Sequence, residues 1–98
     1  MYYVYILKSS KSGKYYVGWT SDLKRRFQEH NQGLSFATKP YTPWKLVFYA
    51  SFENQKLAKD FELYLKSGSG KAFTNKRLVS EALKKDVFLE DVPSETLV

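Results

Sequence analysis

Two short apolar runs lie at the start of the chain and are separated by a polar turn. Tyr2 to Leu7 is aromatic and β-branched, Lys14 to Trp19 is a second run of this kind, and Ser9 to Gly13 contains turn-forming residues. Strand-like runs on either side of a glycine-containing turn are typical of a β-hairpin. The sequence therefore predicts two antiparallel strands here.

The first run is apolar on both of its faces. Side chains alternate across a strand, so Tyr3, Tyr5 and Leu7 share one face while Val4 and Ile6 share the other. A strand with two apolar faces is expected to be central in its sheet and covered on both sides.

In the second run Tyr16 and Gly18 are two residues apart and therefore point to the same face. Because glycine has no side chain, we expect an open space beside the Tyr16 hydroxyl. A phosphate group could enter that space.

A helix is predicted after the hairpin, from about Ser21 to Gln32. Residues such as Asp22 can cap its start, and Gly33 can end it.

The apolar stripe of this helix is predicted to contain Leu23, Phe27 and Leu34. Arg26 and His30 are four residues apart and lie on or beside that stripe. A guanidinium and an imidazole are therefore expected to face the sheet that contains the tyrosines.

The segment from Leu34 to Trp44 includes two prolines and is predicted to be a loop. We interpret its aromatic residues Phe36, Tyr41 and Trp44 as lids over the core, in preference to surfaces on which bases stack.

Lys45 to Phe52 predicts a third strand, and Asn54 can cap a second helix that runs to about Ser67 before a Gly-Ser-Gly stop. Five apolar residues are expected to form the buried stripe of that helix: Leu57, Ala58, Phe61, Tyr64 and Leu65. Glu62 lies at the border of the stripe.

These elements define an α/β sandwich around a small, mainly antiparallel three-stranded sheet flanked by helices. We expect one domain over residues 1–85, with a short third helix between Lys71 and Lys85, and an acidic tail over residues 86–98. A chain of 98 residues with 43% hydrophobic content is long enough for one core and too short for two.

The charge distribution indicates a polyanionic partner. The net charge is +6, and four of the ten acidic residues lie after Lys85, so the first 85 residues have a net charge of +10. A basic body of this kind is typical of nucleic-acid binding, although excess lysine also serves solubility.

Composition also removes several classes of protein. The absence of cysteine excludes a disulfide framework and a thiolate metal site. The longest apolar run, Met1 to Leu7, is too short for a membrane span or the core of a signal peptide. We expect a soluble, cytoplasmic protein that does not associate with membranes.

The order of these residues resembles the GIY-YIG nuclease superfamily. Tyr3-Val4-Tyr5 stands where the family has Gly-Ile-Tyr, Tyr16-Val17-Gly18 stands where it has Tyr-Ile-Gly, and Arg26 follows Gly18 by eight residues. The closest likeness is to small stand-alone bacterial members, over roughly residues 2–80. The first motif departs from the family pattern, because Tyr3 replaces its glycine.

The resemblance implies a role for five residues. Tyr5 or Tyr16 would be the general base that activates water, with the choice between them open. Arg26 would hold the scissile phosphate, and His30 would hydrogen-bond the phosphate or the base. Glu62 would bind Mg²⁺ or Mn²⁺, since magnesium often needs only one protein carboxylate.

Each of these five residues also has a structural alternative. The tyrosines can be half-buried strand residues, Arg26 one more solvated charge, His30 a core histidine, and Glu62 a rim residue paired with a lysine. The family also has an asparagine after the glutamate helix, and Asn75 lies in roughly that region.

The expected function is that of a divalent-metal-dependent endonuclease that hydrolyses DNA, with structure rather than sequence selectivity, in repair or recombination. Four cations are predicted to contact the nucleic acid: Lys24, Arg25, Lys66 and Lys71. RNA is left open as a partner, and a monomer is favoured. One alternative is a non-catalytic nucleic-acid-binding module with a vestigial active site. Another is a protein-interaction domain that uses the acidic tail.

Overall fold

The computed structural model describes residues 1–79, which form six regular elements. The elements are β1 (Tyr2–Ser9), β2 (Tyr15–Thr20), α1 (Leu23–Asn31), β3 (Trp44–Phe52), α2 (Gln55–Lys66) and α3 (Gly68–Phe73). A 3₁₀ turn at Lys39–Tyr41 precedes β3, and a π-helical turn at Thr74–Leu78 follows α3. The predicted domain boundary at residue 85 and the tail over 86–98 lie outside the described residues and stay predictions.

The three strands form one antiparallel sheet with β1 at its centre. The strand order is β2-β1-β3, so Tyr5 of β1 pairs with Gly18 of β2 on one side and with Tyr49 of β3 on the other. This confirms both the predicted hairpin and the central position of the first strand. Within residues 1–79, the outer side of β2 is a free edge of the sheet.

The sheet is covered on both faces, as its two apolar faces require. On one face Tyr3, Tyr5 and Leu7 pack against Leu23 of α1 and Trp44. The opposite face is covered by α2, and its buried residues are Val4, Ile6, Ala58 and Leu65. The α/β sandwich predicted from the sequence is therefore confirmed.

Both predicted helix caps are present. The Asp22 carboxylate accepts a hydrogen bond from the Arg25 backbone N–H at 3.1 Å. The Asn54 side chain accepts from the backbone N–H groups of Lys56 and Leu57 at 2.7 and 3.3 Å. Each bond satisfies a helix N–H that has no partner inside the helix, which explains where α1 and α2 begin.

Several predicted core positions are wrong. Leu34 is exposed because α1 ends at Asn31 and the chain turns at Gly33, whose φ is +73°. Phe36 is 94% exposed and does not form a lid, whereas Trp44 does.

The buried stripe of α2 is also narrower than predicted. Leu57 and Tyr64 are exposed, because Ala58, Phe61 and Leu65 already fill the face toward the sheet. The Gly-Ser-Gly segment ends α2 but belongs to α3, since the Ser67 hydroxyl accepts a hydrogen bond from the Gly70 N–H at 3.1 Å and caps the next helix.

The longest of the described helices is α2, with 12 residues. No described helix is both long enough and apolar enough to cross a bilayer.

Candidate active site

Tyr5 lies at the centre of the candidate site. Its side chain extends from the middle strand toward α1, where it is fully buried. The hydroxyl oxygen is 2.8 Å from Nε2 of His30, which lies on the last turn of α1 and is also fully buried. A hydrogen bond therefore joins the first motif to the helix across 25 residues of sequence.

We assign the tautomer of His30 from the hydrogen bonds of Thr38. The Thr38 hydroxyl donates to the Ser35 carbonyl at 3.4 Å, so it is free to accept from His30 Nδ1–H at 2.7 Å. A neutral imidazole with its proton on Nδ1 has an unprotonated Nε2. The Tyr5 O–H therefore donates to His30, and a chain of donors runs from Tyr5 to the backbone of the loop.

Burial sets the protonation state of this pair. It lowers the pKa of His30 to about 4, and the positive charge of Arg26 adds to the effect. Burial also raises the pKa of the Tyr5 phenol, and the adjacent Tyr16 adds to that rise while the Arg26 guanidinium opposes it. At neutral pH both groups are uncharged, because charged forms are disfavoured away from water.

Tyr16 is the more accessible of the two motif tyrosines. Its ring is half-buried, with its centroid 5.0 Å from that of His30 and 6.3 Å from that of Tyr5. Tyr5, Tyr16 and His30 thus form one group, which we call the tyrosine–histidine cluster. Tyr16 is the member of that cluster with access to solvent.

The open space expected beside Tyr16 is not present at Gly18. A Cβ atom at Gly18 would lie 2.5 Å from the Tyr5 hydroxyl oxygen and 3.0 Å from the Tyr16 ring. The prediction was wrong because the Tyr5 side chain, coming from the neighbouring strand, fills the position. The glycine allows the Tyr5 hydroxyl to reach His30.

Arg26 is held at the edge of the cluster by two hydrogen bonds. Its guanidinium donates to the Glu29 carboxylate at 3.1 Å and to the Ser35 hydroxyl at 3.3 Å. Its side chain is 31% exposed, compared with 72% for the neighbouring Arg25. The expected difference between Arg26 and its neighbours is therefore present for Arg25, but not for Lys24, which is partly buried like Arg26.

Glu62 approaches the cluster from the opposite side of the sheet. It lies on α2, its side chain is only 12% exposed, and its negative charge is among the smaller influences that raise the pKa of Tyr5. One carboxylate oxygen is 2.7 Å from Lys66 Nζ. The Glu62 carboxylate is therefore a partly buried anion with a cation already bound to it.

Glu62 fits the binding of a hard cation. Within residues 1–79 no cluster of three or more Asp, Glu, His or Cys side chains could enclose a metal ion. Mg²⁺ does not require such a cluster, because it keeps several waters and binds one or two carboxylates together with substrate phosphates. One Glu62 oxygen is paired with Lys66, so a metal ion would have to compete with that ammonium group.

The four predicted nucleic-acid-binding cations lie on three different helices. Lys66 contacts Glu62 directly, and Lys71 lies on the exposed side of α3. Lys24 and Arg25 lie on α1, where Arg25 forms a loose pair with Glu29 at 3.8 Å. Asn75 lies in the π-helical turn.

Three residues that contact the site were missed by the sequence interpretation. Glu29 was predictable, since a residue three positions after Arg26 lies on the same side of a helix. Ser35 and Thr38 had no signal, because they belong to an irregular loop whose path is set by contacts such as the bond from Trp44 Nε1 to the Thr38 carbonyl at 2.9 Å.

A three-stranded sandwich with this tyrosine–histidine cluster and an adjacent arginine defines a small domain of the GIY-YIG class. The family model described as the GIY-YIG catalytic domain matches residues 1–77. The chain belongs to this family.

The family relatives include small bacterial proteins and part of a larger eukaryotic one. The chain is 43% identical to a UPF0213 protein of Clostridium perfringens over 67 residues, which cover 67% of this chain and 71% of that protein. It is 39% identical over 71 residues to the "Structure-specific endonuclease subunit SLX1 homolog" of Drosophila mojavensis, covering 62% of this chain and 23% of that protein. The solution NMR structure of a UPF0213 protein from Bacillus halodurans has 32% identity and a TM-score of 0.48, with 98% and 93% of the two chains covered.

Gly18→Ala should destabilise the protein, because the new methyl group would meet a buried Tyr5 hydroxyl that is fixed by His30. The expected cost is about 1–3 kcal/mol of unfolding free energy, measured by urea denaturation. Gly68→Ala is the matched control, since its Cβ would have no neighbour within 4 Å and alanine favours a helix. Equal stability of the two variants would contradict the close contact at Gly18.

The stability of the protein should depend on His30 between pH 6.5 and pH 4. The pKa of His30 is about 4 in the folded protein and about 6.5 when unfolded. The unfolded chain therefore binds the proton first, and the unfolding free energy falls with decreasing pH by up to about 1.4 kcal/mol per pH unit in that window.

His30→Gln removes this dependence, and His30 is the only histidine in the sequence. The measurement is chemical denaturation of both proteins across that pH range. Parallel stability curves for wild type and variant would show that the imidazole is not held neutral by the fold.

Proposed function

We propose that the protein is a divalent-metal-dependent endonuclease that hydrolyses DNA phosphodiester bonds. The proposal depends above all on one observation: Tyr5 and Tyr16 from the two motifs, with His30 and Arg26 from α1, converge on one face of the sheet. Membership of the GIY-YIG family and the name of the Drosophila relative, a structure-specific endonuclease subunit, support the same function.

Tyr16 is the better candidate for the general base. A base must be reached by the attacking water, and Tyr16 is half-buried while Tyr5 is fully buried. Tyr5 already donates its only hydroxyl proton to His30, and its raised pKa keeps it protonated. In this assignment Tyr5 and His30 are positioning residues that fix the wall against which the Tyr16 ring packs.

Arg26 would bind the phosphate that is cut. A guanidinium offers several N–H donors in a fixed plane, and Glu29 and Ser35 use two of its directions. The other donors, which lie beside the Tyr5 hydroxyl, would bind phosphate oxygens, whose negative charge increases as water attacks.

Glu62 would hold the metal ion, either Mg²⁺ or Mn²⁺. When bound, a divalent ion neutralises charge on the phosphate oxygens and the leaving oxygen. Lys66 would leave the carboxylate as the ion arrives and would become available to a substrate phosphate. Lys24, Arg25 and Lys71 would add contacts to the DNA backbone, whose strength should decrease with salt.

The basic body and the absence of a separate recognition domain within residues 1–79 favour selection of DNA by structure over selection by sequence. A role in repair or recombination in the cytoplasm agrees with such a substrate, with RNA left open. A binding module with a vestigial site is the second candidate, and the Lys66–Glu62 ion pair favours it, since the pair neutralises the carboxylate without a metal.

Cleavage of supercoiled plasmid and of branched DNA with Mg²⁺ or Mn²⁺ tests the proposal. Arg26→Ala and Glu62→Gln should each lower the cleavage rate by about 100-fold or more, because each removes stabilisation of charge in the transition state. Arg25→Ala is the matched comparison, since this largely exposed arginine would contribute one contact to the DNA backbone and none to the phosphate that is cut. It should weaken DNA binding slightly while the cleavage rate at saturating DNA stays close to that of the wild type.

Two outcomes contradict the nuclease assignment. If the wild type binds DNA without cutting any of these substrates, the binding-module candidate replaces it. If Arg26→Ala cuts as fast as Arg25→Ala, the phosphate is held elsewhere.

Lys66→Met should tighten metal binding in the absence of DNA. The ammonium group and a metal ion compete for the same Glu62 oxygens, so removing the ammonium should raise the affinity for Mn²⁺ by about two- to fivefold. The measurement is a titration of free Mn²⁺ by electron paramagnetic resonance, which does not depend on cleavage.

Lys56→Met provides the control, because Lys56 pairs with Asp60 on the same helix at the same distance of 2.7 Å. Asp60 is 55% exposed and lies away from the cluster, so this variant should bind Mn²⁺ like the wild type. Unchanged affinity in Lys66→Met would show that Lys66 does not occupy the metal position.

A further inference from the structure

A cavity of about 410 Å³ lies beside the candidate active site, between the free edge of β2 and the helices that follow α2. Its walls come from residues 15–17 of the strand, from the end of α2, and from α3 and the π-helical turn. The volume is in the range of cavities that bind small organic groups. The cavity is therefore large enough for one nucleobase.

The cavity is directly connected to the proposed metal ligand. Lys66 lines it, and the Nζ atom of that lysine is 2.7 Å from the Glu62 carboxylate. Tyr16, the proposed general base, belongs to the strand segment that forms the opposite wall. A group bound in the cavity would consequently lie next to the phosphate that the site holds.

The walls have the chemistry that a planar, uncharged ring requires. Tyr15 and Val17 point to the same side of β2, because they are two residues apart, and they face Leu65 across the cavity. Tyr15 is exposed although it is aromatic. An exposed tyrosine ring next to two aliphatic side chains is a stacking surface for a base.

The polar groups at the cavity suit a nucleotide. Lys66 and Lys71 provide positive charge for the adjoining phosphates, and Asn75 provides an amide. The Asn75 side chain is exposed and can both donate to and accept from the edge of a base.

We propose that this cavity binds one unpaired base of the DNA strand that is cut, next to the scissile phosphate. A base inside a duplex must first be unstacked and unpaired before it can enter a side pocket, whereas an unpaired base avoids most of that cost. The substrate class would then be DNA with an unpaired nucleotide at the cleavage position, such as a single-stranded arm or a flap. The inference rests on the proposed function, and it makes this cavity the origin of the preference of the nuclease for unpaired DNA.

The test is binding without metal, measured by fluorescence anisotropy in EDTA. The probe is a DNA hairpin with a single-stranded arm, in which one abasic residue is moved through successive positions. We expect one position near the junction at which the abasic residue weakens binding by about tenfold. A 2-aminopurine base at that position should lose fluorescence on binding, because it stacks against Tyr15.

One variant assigns to the cavity the loss of binding that the abasic residue causes, which we call the abasic difference. Tyr15→Ala removes the stacking ring and should reduce the abasic difference to about twofold or less. Phe36→Ala is the matched control, since that ring is 94% exposed and does not line the cavity; it should keep the full difference.

The inference is overturned if no position of the arm stands out, if a fully paired duplex binds as tightly as the arm, or if Tyr15→Ala keeps the full abasic difference. Because these measurements need no cleavage, they are independent of the plasmid assay. If the protein cleaves DNA but removal of a base never weakens binding, the nuclease proposal stands and the base-binding cavity is wrong. If removal of one base weakens binding but no DNA is cleaved, only the nuclease proposal is contradicted.

Discussion

The hydrogen bond between Tyr5 and His30 is the contact on which the site depends. It joins the central strand to the last turn of α1 at 2.8 Å, and both partners are completely buried. A buried polar pair is stable only when its hydrogen-bonding groups are satisfied. Thr38 satisfies the second nitrogen of His30, and Gly18 leaves the space through which the Tyr5 hydroxyl reaches the ring. The central strand, α1, the loop after it and Gly18 must therefore all be correctly placed for this one hydrogen bond to form.

That requirement explains why an irregular loop belongs to the site. The loop after α1 is held by bonds from Trp44 to its backbone and from Thr38 to His30, and it also supplies the Ser35 hydroxyl to Arg26. A shift of this loop would release the imidazole and the guanidinium together. The apolar packing of Trp44 and the polar contacts of the site are therefore parts of one arrangement, and the core determines the geometry of the charged groups.

Much of this arrangement was predictable from the sequence, and the rest was not for identifiable reasons. Alternation predicted the two faces of β1, and spacing by four placed Arg26 and His30 on one side of α1. Local patterns do not specify what fills a space between elements. The gap expected at Gly18 is occupied by Tyr5 from the next strand, and the partner of His30 comes from a loop without periodicity. The roles assigned to the predicted site residues stay predictions.

The edge position of β2 has a consequence for selectivity. The tyrosine–histidine cluster lies on the α1 side of the sheet, whereas Glu62 and the cavity lie on the α2 side. The two sides meet only where the sheet ends, because a further strand beyond β2 would separate them. In the proposed function, a phosphate bound at this edge would contact Arg26 from one side and the Glu62 region from the other, and the adjoining nucleotide would lie along β2. Since a flexible single strand follows such an edge more easily than a stiff duplex, the end of a three-stranded sheet would itself be a basis for selection by structure.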